Sequence, residues 1–239
     1  MKTGTFYGVG VGPGDPGWMT VQAVSVLGSC RRVFAPKGKA EGGSLALEIA
    51  RSHIGSQAEI CEVIFPMTTD KAALSKHWHE AAEQVAEFLR TGEDACFLTL
   101  GDPSLYSTYV YLLRELKVCL PGVNVVTVPG VHSYSAAAAL AEFPLGEGKN
   151  SISILPLDDD LTPLRDGIRR GDSLVLMKVG ARLGAVLDVL EETGVLDGAV
   201  LVQKAGLAEQ RIEKDLKKLK SGPGDAGYLS VLLVPGKKK

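Results

Sequence analysis

The chain has 239 residues, with 26 Lys and Arg against 28 Asp and Glu, and a net charge of −2. That length suits one large domain or two small ones, and the near-neutral balance excludes a surface built to coat nucleic acid. A hydrophobic content of 45% with 23% charged residues is that of an ordinary soluble globule, and no apolar run approaches the roughly 20 residues of a membrane span. The N-terminus lacks a basic region and cleavage site, so no signal peptide is expected. Cys30, Cys61, Cys96 and Cys119 show no C-x-x-C spacing, which points to reduced thiols in a cytoplasmic protein.

Phe6 to Gly12 reads as a first strand running into Gly10-Val11-Gly12-Pro13-Gly14-Asp15-Pro16. The loop fails the dinucleotide fingerprint. Counting from Gly10 puts Asp15 where the third glycine belongs, and counting from Gly8 puts Pro13 there. Pro13 also lacks the N–H that a phosphate cradle needs. Thr20 is placed to cap a helix carrying Val21, Val24 and Leu27 on one face. A second strand, Arg31–Ala35, leads into a basic loop, Pro36–Gly43, and a helix begins at Ser44. Glu59–Phe65 reads as a third strand. Asp70–Arg90 is the longest helical pattern, its stripe of Ala73, Leu74, Trp78, Ala81, Ala82, Val85, Phe88 and Leu89 facing a core. His77 and His79 on this helix are two residues apart and share no face, so no metal site is expected from them.

Ala95–Leu100 is an apolar run with the pattern of a buried strand, and Cys96 reads as a core thiol. It ends in Gly101-Asp102-Pro103, and helical spacing resumes at Tyr109. Gly101 permits close approach of backbone to a ligand. Asp102 is a carboxylate at the carboxyl end of a strand, where open α/β sheets bind ligands. Pro121-Gly122 is the expected boundary between an N-terminal α/β domain (1–120) and a C-terminal α/β domain (121–239). Beyond it Val123–Val128 reads as a strand ending in Pro129-Gly130-Val131-His132-Ser133, and a helix of small residues follows over Ser135–Ala141. His132 is either a cap or a ligand contact.

Strands are expected at Ser151–Leu155, Ser173–Val179, Ala199–Gly206 and Tyr228–Val234, with a helix over Leu183–Glu192 and a hairpin opening near Gln210–Ile212. Asp158-Asp159-Asp160 reads as a solvated run that favours the start of the next helix. Lys237-Lys238-Lys239 reads as a frayed tail. The alternation of strand and helix predicts mostly parallel pairing with helices on both faces.

The Gly-x-Gly-Pro-Gly-Asp opening and the Gly-Asp-Pro turn resemble the tetrapyrrole methylases, S-adenosylmethionine enzymes of two α/β domains with the active site in the cleft between them. The resemblance covers nearly the whole chain. Leu100 to Tyr109 is similar to the branch that methylates C20 of precorrin-2 in corrin biosynthesis. Pro129 to Ser133 follows that branch too, with His132 where Thr is usual. The resemblance implies S-adenosylmethionine contacts at Pro13, Leu100, Gly101, Asp102, Leu105, His132, Ser133, Met177 and Ala205. It implies a planar, polycarboxylated tetrapyrrole as substrate, precorrin-2 or its cobalt complex, and a homodimer without nucleic-acid or membrane partners.

Methyl transfer to a meso carbon needs no side-chain nucleophile, but a proton must leave that carbon. Asp102 and Tyr106 are the titratable residues of the turn and so the candidates for that step. The alternative is that Asp102 holds cofactor polar groups and Tyr106 packs. Lys37, Lys39 and Lys149 are candidates to meet substrate carboxylates. Two other readings stay open: a methylase of the same class acting on uroporphyrinogen III, a later precorrin or another acceptor, and a non-catalytic adenosyl-binding module.

Overall fold

The computed structural model describes residues 2–38, 42–66, 68–221 and 227–237, so Lys39 of the basic loop and Lys238 and Lys239 of the tail lie outside the described residues. The chain divides into two compact units, Met1–His132 and Ser133–Lys239. Among the described residues no helix is long and apolar enough to cross a membrane.

The first unit alternates β1 (Thr5–Gly10), α1 (Val21–Ser29), β2 (Arg32–Lys37), α2 (Leu45–Ala50), β3 (Glu59–Ile64), α3 (Lys71–Leu89), β4 (Ala95–Thr99), α4 (Tyr109–Cys119) and β5 (Asn124–Val128). Side-chain oxygens start three of the helices: Thr20 Oγ1 accepts from the Ala23 N–H, Ser44 Oγ from Leu47, and Asp70 Oδ1 from Ala72 and Ala73. The sheet order is β3-β2-β4-β1-β5, and every neighbouring pair is parallel. β4 is buried along its length because helices cover both faces of such a sheet. Its alternation sorts side chains between two cores. Cys96 and Leu98 meet the core under α1 and α2, while Ala95 and Phe97 meet the core under α3 and α4. The unit runs past the Pro121-Gly122 turn, where the sequence placed a boundary, because β5 pairs with β1 from Thr5↔Asn124 to Val9↔Val128.

The second unit contains α5 (Ser133–Ala141), β6 (Ile152–Pro156), α6 (Thr162–Arg170), β7 (Ser173–Met177), α7 (Leu183–Glu192), β8 (Val200–Gln203), β9 (Arg211–Glu213) and β10 (Ser230–Val234). Its order is β6-β7-β10-β8-β9. Here the expectation of mostly parallel pairing fails. Among the described residues β6 and β7 alone pair in parallel, whereas β7–β10, β10–β8 and β8–β9 are antiparallel. The physical reason lies in the connections: β8 and β9 are joined by a short loop that can only make a hairpin, and the last strand, β10, inserts between β7 and β8. α5 packs against β8 and β10, burying Ala136, Ala137, Ala138 and Ala141, so its small side chains let helix and sheet approach closely. Asp160, at the end of the acidic run, accepts the Thr162 N–H with Oδ1 at the start of α6.

Candidate functional site

The carboxyl ends of β4, β1 and β5 are neighbours in the first sheet, and the loops leaving them are joined to one another. Gly12 and Gly101 exchange backbone hydrogen bonds, with Gly101 N–H donating to Gly12 O at 2.8 Å and Gly12 N–H to Gly101 O at 3.2 Å. The Gly130 N–H donates to Asp102 Oδ2 at 2.9 Å. The three loops therefore form one stitched edge, where open α/β sheets present their ligand sites.

Glycine is required here by geometry. Gly101 has φ +72°, a conformation side chains rarely adopt. A Cβ on Gly130 would lie 2.2 Å from Gly101 O and 2.9 Å from Gly10 Cα, both of them backbone atoms. The space on the Cβ side of Gly101 is open, its nearest neighbour being Val131 O at 4.0 Å. Leu100 and Leu105 are half-buried, and Pro13 is buried.

Asp102 is 7% exposed. Its Oδ1 accepts the Ser104 N–H at 2.8 Å and a short bond from Ser104 Oγ, while Oδ2 takes Gly130. Burial pushes its pKa up, but the bonds from Ser104 Oγ, the Gly130 N–H and the Ser104 N–H, with the charge of His132, outweigh burial and hold the carboxyl below its ordinary value. It is an ionised acceptor with both oxygens engaged.

Tyr106 has φ +52°, left-handed backbone that costs a non-glycine residue about 1 kcal/mol or more. Its side chain is 47% exposed. Burial of the hydroxyl raises its pKa, so the phenol is neutral at physiological pH. The turn is held from beneath by residues the sequence reading did not assign. Buried Ser107 shares a 2.6 Å hydrogen bond with Thr99 Oγ1 and accepts the Tyr109 N–H at 3.1 Å. Tyr109 is buried, its hydroxyl 2.7 Å from Thr127 Oγ1 on β5. Its ring fills the space above Gly8, where a Cβ would lie 2.1 Å from the ring. The parallel register places Thr127 beside Gly8, and no sequence spacing displays that neighbour.

The remaining expected contacts belong to the second unit. Met177 and Val202 both stand opposite Val231 of β10. Met177 and Ala205, two residues beyond β8, therefore reach the same edge of that sheet. Each adjoins a lysine with left-handed backbone, Lys178 at φ +60° and Lys204 at φ +49°. Ser133 is the first residue of α5. Among the lysines considered for substrate carboxylates, Lys37 is paired with Glu62 at 2.9 Å and Lys149 is exposed.

A glycine-lined edge at the carboxyl ends of adjacent parallel strands is the place where open α/β sheets bind small molecules. The chain belongs to the tetrapyrrole (corrin/porphyrin) methylases, whose family pattern matches residues 5–220. It is 33% identical to the cobalt-precorrin-2 C(20)-methyltransferase of Salmonella typhimurium, over 97% of this chain and 96% of that protein. It is 30% identical to the precorrin-2 C(20)-methyltransferase of a Sinorhizobium species, over 99% of this chain and 97% of the relative. Its fold is that of the uroporphyrin-III C-methyltransferase of Thermus thermophilus solved with S-adenosyl homocysteine. The two superpose with a TM-score of 0.66 at 20% identity, over 97% of this chain and 92% of the other.

Proposed function

We propose that the protein methylates C20 of a precorrin-2 ring, metal-free or cobalt-bearing, with S-adenosylmethionine as methyl donor, in cobalamin biosynthesis. The observation that carries this reading is the whole-length likeness to two relatives named for that position on the ring. The reading extends to a homodimer in the cytoplasm with a polycarboxylated tetrapyrrole as its partner.

The stitched edge leaves room for an adenosyl compound, since the Cβ side of Gly101 is open and Leu100 and Leu105 are half-buried. Pro13, Leu100, Gly101, Leu105 and His132 of the first unit would hold it there. Bound there, S-adenosylmethionine supplies an electrophilic methyl: the sulfur–methyl bond breaks, the C20–methyl bond forms, and a proton leaves C20. The protein's own contribution is placement. Asp102, ionised and fully engaged, fixes the spacing of the Gly101 and Gly130 loops. A carboxylate held below its ordinary pKa is a weak base, and a neutral Tyr106 phenol has no proton-accepting charge. Their proposed roles are therefore anchoring for Asp102 and, for Tyr106, a ring wall beside the macrocycle.

The test is to incubate the purified protein with isotopically labelled S-adenosylmethionine and either precorrin-2 or its cobalt complex, then locate the new methyl by NMR. A single methyl at C20 is expected. A methyl at another carbon overturns the position, and tight adenosyl binding without methylation of either ring overturns the activity.

A further inference from the structure

On the surface formed by α3 and α4, His79, Glu83 and Cys119 place one ligand atom each within 4.8 Å of one another. Glu115 adjoins them, its Oε2 3.3 Å from His79 Nδ1, and Cys119 Sγ lies 3.8 Å from the same nitrogen. Glu83 Oε1 is 3.5 Å from His79 Nε2. The arrangement consists of two facing i,i+4 pairs, His79 with Glu83 on α3 and Glu115 with Cys119 on α4. Residues four apart share a helix face, and these two helices pack together. We propose that His79, Glu83, Glu115 and Cys119 bind a divalent transition-metal ion of the zinc or cobalt(II) type, which staples α3 to α4.

The distances fit such an ion. Metal bonds of about 2.0–2.3 Å in a tetrahedron separate neighbouring ligand atoms by roughly 3.3–3.8 Å. The two separations from His79 Nδ1 already fall in that range. Glu83 is 66% exposed, so its side chain can swing to complete the set without moving the backbone. The donors select the metal: a thiolate and an imidazole beside carboxylates suit zinc and cobalt(II), not magnesium or calcium.

Two carboxylates, Glu83 and Glu115, stand on either side of the His79 ring, at 3.5 and 3.3 Å from its nitrogens. The Arg90 guanidinium is turned to the backbone, donating to Cys119 O at 2.9 Å. When the ion binds, the thiol proton passes to water and a Cys119 thiolate joins two carboxylates around a dication. His77, the other histidine of this helix, takes no part; it faces Glu80 at 3.7 Å. Along α4 the ligands Glu115 and Cys119 lie about 9 and 15 Å from Tyr109, where the Gly101–Tyr109 turn ends, at the helical rise of 1.5 Å per residue.

The experiment is a titration of tag-free, full-length, reduced protein with cobalt(II), followed by absorption spectroscopy and then by displacement with zinc. One equivalent is expected to bind, with a thiolate-to-cobalt charge-transfer band and the intense visible bands of a tetrahedral site, and zinc is expected to bleach both. Cys119→Ser should abolish the charge-transfer band, and His79→Ala should weaken cobalt binding about 10- to 100-fold, while Cys61→Ser should leave the spectrum unchanged. Glu115→Gln should weaken binding less than His79→Ala. Zinc should raise the melting temperature of the native protein more than that of the His79→Ala variant. Each variant is checked by circular dichroism and by melting without metal. The proposal is overturned by the lack of saturable one-to-one binding, or by a charge-transfer band that survives Cys119→Ser.

Discussion

In the first sheet β4, β1 and β5 run the same way, so their loops emerge side by side and their backbones bond to one another. In the second, β7 and β8 reach a common edge because β10 runs between them in the opposite direction. The difference shows in residue choice. The first edge joins backbone to backbone at separations a Cβ cannot enter, and Gly10, Gly101 and Gly130 meet there. The second turns its strand ends with left-handed lysines, Lys178 and Lys204. A methyl group added to the first edge should therefore cost much more than one added to the second unit.

Gly130→Ala tests this most severely. Its Cβ would lie 2.2 Å from Gly101 O, and neither partner is a flexible side chain. Overpacking of this kind costs about 3 kcal/mol, and the shift should also part Gly130 from Asp102. Urea unfolding should show that loss together with at least a tenfold fall in kcat/KM. Gly184→Ala in α7 of the second unit is the contrast, since nothing lies within 4 Å of its Cβ and alanine favours a helix by up to about 1 kcal/mol. It should be neutral or stabilising. Equal destabilisation by both would refute the distinction between the two units.

Asp102→Asn removes the acceptor that ties two of the loops. One side of an amide cannot accept, so either Ser104 or the Gly130 N–H loses its partner, at a cost of about 2 kcal/mol. The pH dependence identifies the cause. Because the folded-state pKa of Asp102 is lowered, its contribution is fully present above the unfolded value of about 3.9 and fades as pH falls through the folded value. The native protein should therefore lose stability more steeply than the variant as pH drops below about 4. In assays at neutral pH the variant's KM for S-adenosylmethionine should rise more than its kcat falls, as anchoring requires and proton transfer does not.

The two sheets were unequally legible in the sequence. Capping residues Thr20, Ser44 and Asp70 and the buried run Ala95–Thr99 announce the first unit, because local chemistry and strand–helix alternation agree there. Apart from the hairpin expected near Gln210–Ile212, the antiparallel pairing of the second sheet was not legible. Alternation implies crossovers but says nothing about a final strand inserting between earlier ones. The site divides in the same way. Glycines and Asp102 stand out at strand ends, but the bond from Gly130 to Asp102 and the pairs Thr99–Ser107 and Tyr109–Thr127 depend on strand register. The metal-ligand cluster is equally non-local, its two helices contributing residues 36 and 40 positions from His79.

Tyr109→Phe sharpens the first side of the comparison at a smaller scale. It removes the hydroxyl that meets Thr127 Oγ1 across β1 and β5 while keeping the ring above Gly8. The expected loss is about 1 kcal/mol. Thr127→Val should cost a similar amount, and the double variant little more than either, because the two hydroxyls satisfy each other. Additive losses would mean that the pair is not coupled.

The smallest effect belongs to the second edge. Lys204 holds left-handed backbone between β8 and Ala205, and its N–H donates to Leu229 O at 2.7 Å, a bond any residue but proline retains. Glycine relieves roughly 1 kcal/mol of strain but gives up part of that through its greater freedom in the unfolded chain. Lys204→Gly should stabilise the protein by about 0.5 kcal/mol or less in urea unfolding. A lysine kept there against its own backbone preference points to its amino group, which stands 3.4 Å from Glu209. If Lys204→Gly leaves stability unchanged or better and Lys204→Ala lowers it, the turn is a matter of backbone alone. If both weaken methyl transfer while stability holds, the side chain serves the reaction, and the second edge contributes charge where the first contributes close-packed backbone.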